Sequence, residues 1–204
     1  AVQVNGRRFI FNAILFKVIE HNNNQYGFQN QFYDKGGMDQ QLYQDYIIRK
    51  GENIHNKIRQ NLFIKVDVSK NHCYEGEPVV ATYKPYSRLH SDSKVSKRPS
   101  FNGFSVYDLV EPSTAPVTVE KFNGNVFNVY LIRKAQLFPL RPGTLELDPA
   151  EVENSVSFLR AESVRKNMEE YIPELLRSFE SDNVLDENIV TEQVSVKSHP
   201  LPVT

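Results

Sequence analysis

The stretch Val117-Thr118-Val119-Glu120-Lys121-Phe122-Asn123-Gly124-Asn125-Val126-Phe127-Asn128-Val129-Tyr130-Leu131-Ile132 decides the fold class. Two runs rich in β-branched and aromatic residues flank Asn123-Gly124. A type I′ turn needs positive φ at both central positions, which Asn and Gly tolerate best. The pattern predicts a β-hairpin with Val117, Val119, Phe127, Val129 and Leu131 on one face. Similar signals continue on both sides. Leu62, Ile64, Val66 and Val68 alternate with Phe63, Lys65, Asp67 and Ser69, which has the period of a half-buried strand. Tyr74-Glu75-Gly76-Glu77 reads as a turn, and Pro78 suits the first residue of the strand Val79–Tyr83. Phe101-Asn102-Gly103-Phe104 leads into Ser105–Leu109. Arg141-Pro142-Gly143 turns into the alternating run Thr144–Asp148. The chain holds 13 Phe and 10 Tyr but no Trp, and its 11 Pro and nine Gly recur at short intervals, as many short strands require.

Residues 158–179 change period. Phe158, Leu159, Val164, Met168, Tyr171, Ile172, Leu175, Leu176 and Phe179 step by threes and fours, which predicts a helix packed through Leu159, Met168, Ile172 and Leu176. The pairs Glu162–Lys166 and Arg165–Glu169 support it, and Pro173 should kink it. Val190, Val194 and Val196 then return to strand. About seven strands follow from Leu62 to Val203. With a helical insertion at about 157–188 set aside, 62–204 has a length near the ~100 residues of an immunoglobulin-like antiparallel β-sandwich. The fold class expected is therefore all-β, with the insertion before the last strand.

The first 61 residues read differently. Residues 1–20 form a second hairpin signal: Val2 and Val4, then Asn5-Gly6, then Arg7 to Phe11 and on to Ile19. This reads as the closing hairpin of a preceding β domain, or alternatively as a pair of strands that joins the sheet that follows. Residues 21–61 are rich in Asn and Gln and read as a polar linker. Leu42, Tyr43, Tyr46 and Ile47 give it a short helix between Met38 and Ile48. A solvated spacer is the favoured reading of that linker, ahead of glycan or nucleic-acid contact.

Charge and chemistry narrow the function. Twenty-four Lys and Arg against 25 Asp and Glu give a net charge of -1, without the basic excess a nucleic-acid partner calls for. The single Cys73 excludes an internal disulfide and a cysteine zinc cluster. No apolar run approaches the ~20 residues of a membrane helix. The five His share no metal-ligand spacing. His72 and Cys73 are adjacent and would point to opposite faces of a strand. Glu75 and Glu77 lack further oxygen ligands for calcium. No phosphate-binding loop or nucleophile elbow is present. Catalytic, cofactor-binding and metal residues are thus expected to be none, and Cys73 is expected to be buried.

Tyr83-Lys84-Pro85-Tyr86-Ser87-Arg88 stands apart. Tyrosines beside cations suit an interface, where Tyr and Arg are enriched. With Phe101, Phe104 and Tyr107 downstream, Tyr83, Tyr86 and Arg88 make the candidate partner surface. Tyr86, Arg88 and a basic, Ser-rich loop at 91–99 are expected on one accessible face at the end of the sandwich. In the competing reading, alternate aromatics fill the core while Lys84 and Arg88 cover the solvent face.

Several segments resemble the BatD oxygen-tolerance proteins of bacteria. They are Phe63 to Lys70, Tyr74-Glu75-Gly76-Glu77-Pro78, Tyr83 to Arg88, Pro99 to Tyr107 and Leu131 to Leu140, in the same order and spacing over roughly 62–150. Val194 to Pro202 resembles the end of that module, and residues 1–20 the end of the module before it. Pro85 departs from the pattern, standing where an aliphatic residue is expected. The resemblance implies a periplasmic piece of a protein exported by a signal peptide and anchored in the inner membrane by a C-terminal helix. It implies partners among membrane proteins with von Willebrand factor A domains and, indirectly, a MoxR-type ATPase, in aerotolerance or envelope stress. It carries no catalytic residues and no cofactor. The rival class is a surface carbohydrate-binding or adhesion module, against which the lack of Trp weighs. A hydrolase is the remotest reading, for want of a triad or dyad.

Overall fold

A computed structural model describes residues 2–4, 7–9, 27–29, 45–110, 112, 115–162 and 189–204. In chain order the elements are β1 (Val2–Val4), β2 (Arg7–Phe9), β3 (Gly27–Gln29), β4 (Ile47–Ile48) and the helix α1 (Ile54–Asn61). Next come β5 (Leu62–Val68), β6 (Val79–Ser87), β7 (Ser91–Lys97), β8 (Phe104–Val110), β9 (Thr118–Phe122) and β10 (Asn125–Val129). The last are β11 (Arg133–Pro139), β12 (Leu145–Leu147), β13 (Glu151–Arg160), β14 (Ile189–Lys197) and β15 (Leu201–Val203). The fold is an all-β, sandwich-like arrangement of antiparallel sheets. Among the described residues eleven strands, not about seven, run from Leu62 to Val203.

The first sheet is built around β6. On one side β6 pairs with β5, placing Ile64 opposite Pro85 and Val66 opposite Tyr83. On its other side lie β10 and then β11, end to end. Val129 faces Tyr86 but Arg133 faces Tyr83, so one extra residue bulges out between them. Pro85 sits at this bulge. Its carbonyl accepts from the Tyr130 N–H at 3.0 Å, and the donor it lacks falls where the ladder is already interrupted. The pairing with β5 continues through Pro85 unbroken. β8 pairs with β11 and β9 with β10, so these two strands form the outer edge together.

The hairpin that decides the fold class is present as β9 and β10. Asn123 (φ 48°) and Gly124 (φ 82°) are both left-handed, as the type I′ turn demands. The expected face is corrected, however. A two-residue turn sets Phe122 opposite Asn125, so odd positions of β9 face even positions of β10. Phe127 therefore lies opposite Glu120, and Val129 opposite Thr118. Val119 lies opposite Asn128 and is exposed, as is Val117 before the strand. A Cβ at Gly124 meets no neighbour, so Gly124→Ala tests backbone strain alone. It should cost about 1 kcal/mol, seen as a lower urea midpoint with unchanged slope; no loss would mean the turn has relaxed to another type.

The second sheet has the order β14–β13–β7–β3, with β4 parallel to β13. The expected loop at 91–99 is a strand as far as Lys97. Its inward positions Ser91 and Ser93 are buried opposite Val156 and Asn154, and Val95 lies opposite Val152. Backbone pairing on both sides of β7 holds this polar sequence in the sheet. The expected helix from Phe158 is also corrected at its start: Phe158 and Leu159 belong to β13. Phe158 faces a cluster with Ile58, Leu89 and Val156, while Leu159 faces Ile47. A strand covered on both faces presents consecutive apolar residues, which breaks the alternation. The rest of the expected helix, with Met168, Ile172 and Leu176, lies outside the described residues.

The main core lies between the sheets. Ile64, Val79, Ala81, Tyr83, Ala135 and Leu137 from the first meet Leu147, Val152 and Val203. The expected polar linker contributes to the same body. β3 pairs with β7, Ile47 and Ile48 pair with β13, and α1 buries Ile58. Within the expected short helix Asp45 and Tyr46 are helical, while Ile47 and Ile48 at its end belong to β4. α1 is a further helix, capped by Asn53, whose side chain accepts from the Asn56 N–H at 2.9 Å. Leu42 and Tyr43 lie outside the described residues. β1 and β2 pair antiparallel with Val4 opposite Arg7, the spacing of a two-residue loop. The onward run to Ile19 lies outside the described residues.

Candidate interaction surface

The six residues expected to form a partner surface do not share one. Tyr83, Phe101 and Phe104 are in the main core. Tyr83 is 1% exposed, its ring centroid is 6.0 Å from that of Phe101, and its hydroxyl donates to the Asp148 carbonyl at 2.9 Å. Tyr86 and Arg88 lie on the opposite face of the sheet, yet they are 2% and 5% exposed. The competing reading is correct for Tyr83, Phe101 and Phe104, and wrong for Arg88, which does not cover a solvent face.

A second, smaller aromatic cluster explains the burial of Tyr86. Its ring stacks on Phe63 at 5.2 Å between centroids and an interplanar angle of 9°, with Phe122 and Phe127 packed around the pair. Above them Glu120 accepts from the Tyr86 hydroxyl at 2.6 Å and from Lys84 Nζ at 2.7 Å. Those two donors hold the Glu120 carboxyl below its ordinary range. Burial, then the Glu120 hydrogen bond, pushes the Tyr86 hydroxyl upward, so it stays a donor. Arg88 lies over the Phe127 ring at 5.6 Å and pairs with Asp45 at 2.5 Å.

Only Tyr107 of the six is open to solvent, at 63%. It belongs to a surface that hydropathy alone does not reveal. Along β8, Val106, Tyr107 and Leu109 are all exposed. Tyr107 lies opposite Gln136 on the outer face, and Val106 opposite Leu137 on the inner one. β8 is thus exposed on both faces. Its far edge has no strand partner among the described residues. The charge on β8 is Asp108, which accepts from Arg133 Nε at 2.8 Å and Nη2 at 3.0 Å. That fork holds the Asp108 carboxyl below its usual range. Arg133 is itself fixed by the Pro99 carbonyl and by the Phe101 ring at 4.6 Å. The sequence signal for this surface was the run Phe104–Val110 itself, a strand without Lys or Pro, but nothing local marks a strand as an edge.

Cys73 is half-buried against the main core rather than fully buried, and is a free thiol. Among the described residues no three His, Cys, Asp or Glu side chains gather as a metal site. Compared with known proteins, the chain matches no family model, no curated protein and no solved structure.

Proposed function

We propose that this chain is a non-catalytic, periplasmic interaction module of a BatD-like protein, and that its β8–β9 edge receives an extended segment of a von Willebrand A-domain membrane protein. A MoxR-type ATPase is then an indirect partner, and the parent protein is anchored in the inner membrane. The sequence resemblance over 62–150 supplies the family. The observation that carries the binding mode is the outer edge of β8, which no strand pairs among the described residues, with Val106, Tyr107 and Leu109 exposed along it.

Exposed edges are normally blunted by Lys, Pro or an unpaired charge, since they template pairing with other chains. From Phe104 to Asp108 β8 carries none of these, since its single carboxylate is consumed by Arg133; a bulge at Leu109 interrupts the edge beyond it, so an incoming strand would pair along Phe104–Asp108. An incoming strand would gain main-chain hydrogen bonds from the edge and specificity from side chains on both faces. The test is titration of purified A-domain proteins encoded in the same genome against wild type and a Tyr107→Lys/Leu109→Lys variant. Hot-spot losses of about 2 kcal/mol or more predict at least a roughly thirtyfold weaker complex for the variant. Equal affinity for the two forms removes the edge from the interface, and no binding by wild type overturns the family reading.

A further inference from the structure

A groove of about 710 Å³ lies on the outer face of the first sheet, away from the β8 edge. Its floor is the outer aromatic cluster, where Phe63 and Phe122 keep part of their rings exposed. One wall is the last turn of α1, with Arg59, and the other is the tip of the β9–β10 hairpin, with Asn123 and Asn125. Lys65 stands on the same face as Phe63, two residues along β5. Asp45 and Arg88 close the groove with their ion pair.

The chemistry of this lining is specific. Three cations, Arg59, Lys65 and Arg88, face one carboxylate, Asp45. Arg59 donates to the exposed Asn56 side chain, and Lys65 pairs with Asp67, both at the surface. Such exposed pairs hold their partners weakly, so both cations remain open to a bound anion. Arg88 is different. It is buried, and its Nε has no hydrogen-bond partner among the described residues. A guanidinium with an unsatisfied donor in the interior is costly unless something repays it. Around these charges the rim presents side-chain amides, each both donor and acceptor, which match hydroxyl groups. The floor presents flat apolar rings. The volume falls in the range of small-ligand sites, ~300–1,000 Å³.

A carboxylate, several hydroxyls and a flat apolar face occur together in one class of ligand. We infer that the groove binds a short acidic saccharide of the uronic-acid type. The sugar carboxylate meets Arg59 and Lys65, the hydroxyls meet Asn123 and Asn125, and the ring face lies on Phe63 and Phe122. This assignment is independent of the β8 edge, which lies elsewhere on the sheet.

The experiment is a calorimetric titration of the full chain with digalacturonate, and in parallel with cellobiose and with benzoate. Cellobiose keeps the hydroxyls without the charge. Benzoate keeps the charge and a flat ring without the hydroxyls. Digalacturonate should bind best, at least about tenfold more tightly than either, and added salt should weaken it. An Arg59→Gln/Lys65→Gln variant should lose at least about tenfold in affinity for digalacturonate, and Phe122→Ala a comparable amount. Arg59 and Lys65 lie outside the core, so an unchanged unfolding midpoint certifies the fold of the double variant. No saturable binding of digalacturonate by wild type overturns the inference. Equal binding of cellobiose removes the charge argument, and equal binding of benzoate removes the saccharide. Undiminished binding by the folded double variant places the ligand elsewhere.

Discussion

Replacing Tyr83 with alanine is expected to lower stability by about 3–5 kcal/mol, the range for removing a large buried ring. Tyr83 is among the largest fully buried side chains and sits on β6 between β5 and β11, opposite Val66 and Arg133. Its loss opens a void beside Phe101, and the neighbours on three strands are held by ladder hydrogen bonds that prevent collapse into it. The hydroxyl contributes separately. It closes a long-range bond to the Asp148 carbonyl, tying β6 to the segment before β13. Burial pushes its pKa upward, so it remains a donor at neutral pH. Tyr83→Phe should therefore cost about 1–2 kcal/mol, mainly for the carbonyl left unpaired. Urea unfolding of both variants separates ring from hydroxyl. If both fall within about 0.5 kcal/mol of wild type, the core is not organised around this ring.

How far the sequence reveals this arrangement depends on whether the deciding information is local. Asn123-Gly124 and Gly76 were legible because a turn is set by the backbone freedom of its own residues. Pro78 opened its strand for the same reason. The faces of the hairpin were not legible, because Val119 and Phe127 look alike in isolation and only the turn length assigns their sides. Ser91–Lys97 reads as a loop since its burial comes from strands on both flanks, which are remote in sequence. Phe158 and Leu159 imitate a helix because two different clusters claim adjacent side chains. The partner surface failed in two ways: Tyr83, Phe101 and Phe104 face the main core, and Tyr86 and Arg88, on the outer face, are buried at a second aromatic cluster. Tyr107 was found for its aromaticity, and its exposure follows from β8 being last in the sheet, a property of the whole topology.

Arg88 carries the other large effect. Arg88→Met should destabilise the protein by about 3 kcal/mol at neutral pH, the low end for breaking a buried ion pair, because Asp45 keeps 18% side-chain exposure. Met retains the volume over the Phe127 ring, so the loss reports chiefly the charge left behind on Asp45. The pH dependence fixes the mechanism. Burial raises the Asp45 carboxyl above its ordinary value, while Arg88 and then Lys57 pull it back. A carboxyl whose pKa is higher folded than unfolded destabilises the fold above that pKa, and the cost disappears as pH falls through it. Removing Arg88 raises the folded pKa further. The gap between variant and wild type should thus narrow on acidification, beginning at a higher pH than an ordinary carboxyl titrates. Acid-labile contributions common to both proteins, such as Glu120 and Asp108 with their lowered pKa values, act in the opposite direction and cancel in the difference. Adding Asp45→Asn to Arg88→Met removes the stranded charge and should restore most of the loss. If the double variant is no more stable than Arg88→Met, and the gap stays constant with pH, Arg88 stabilises the sheet through its contact with Phe127 instead of through Asp45.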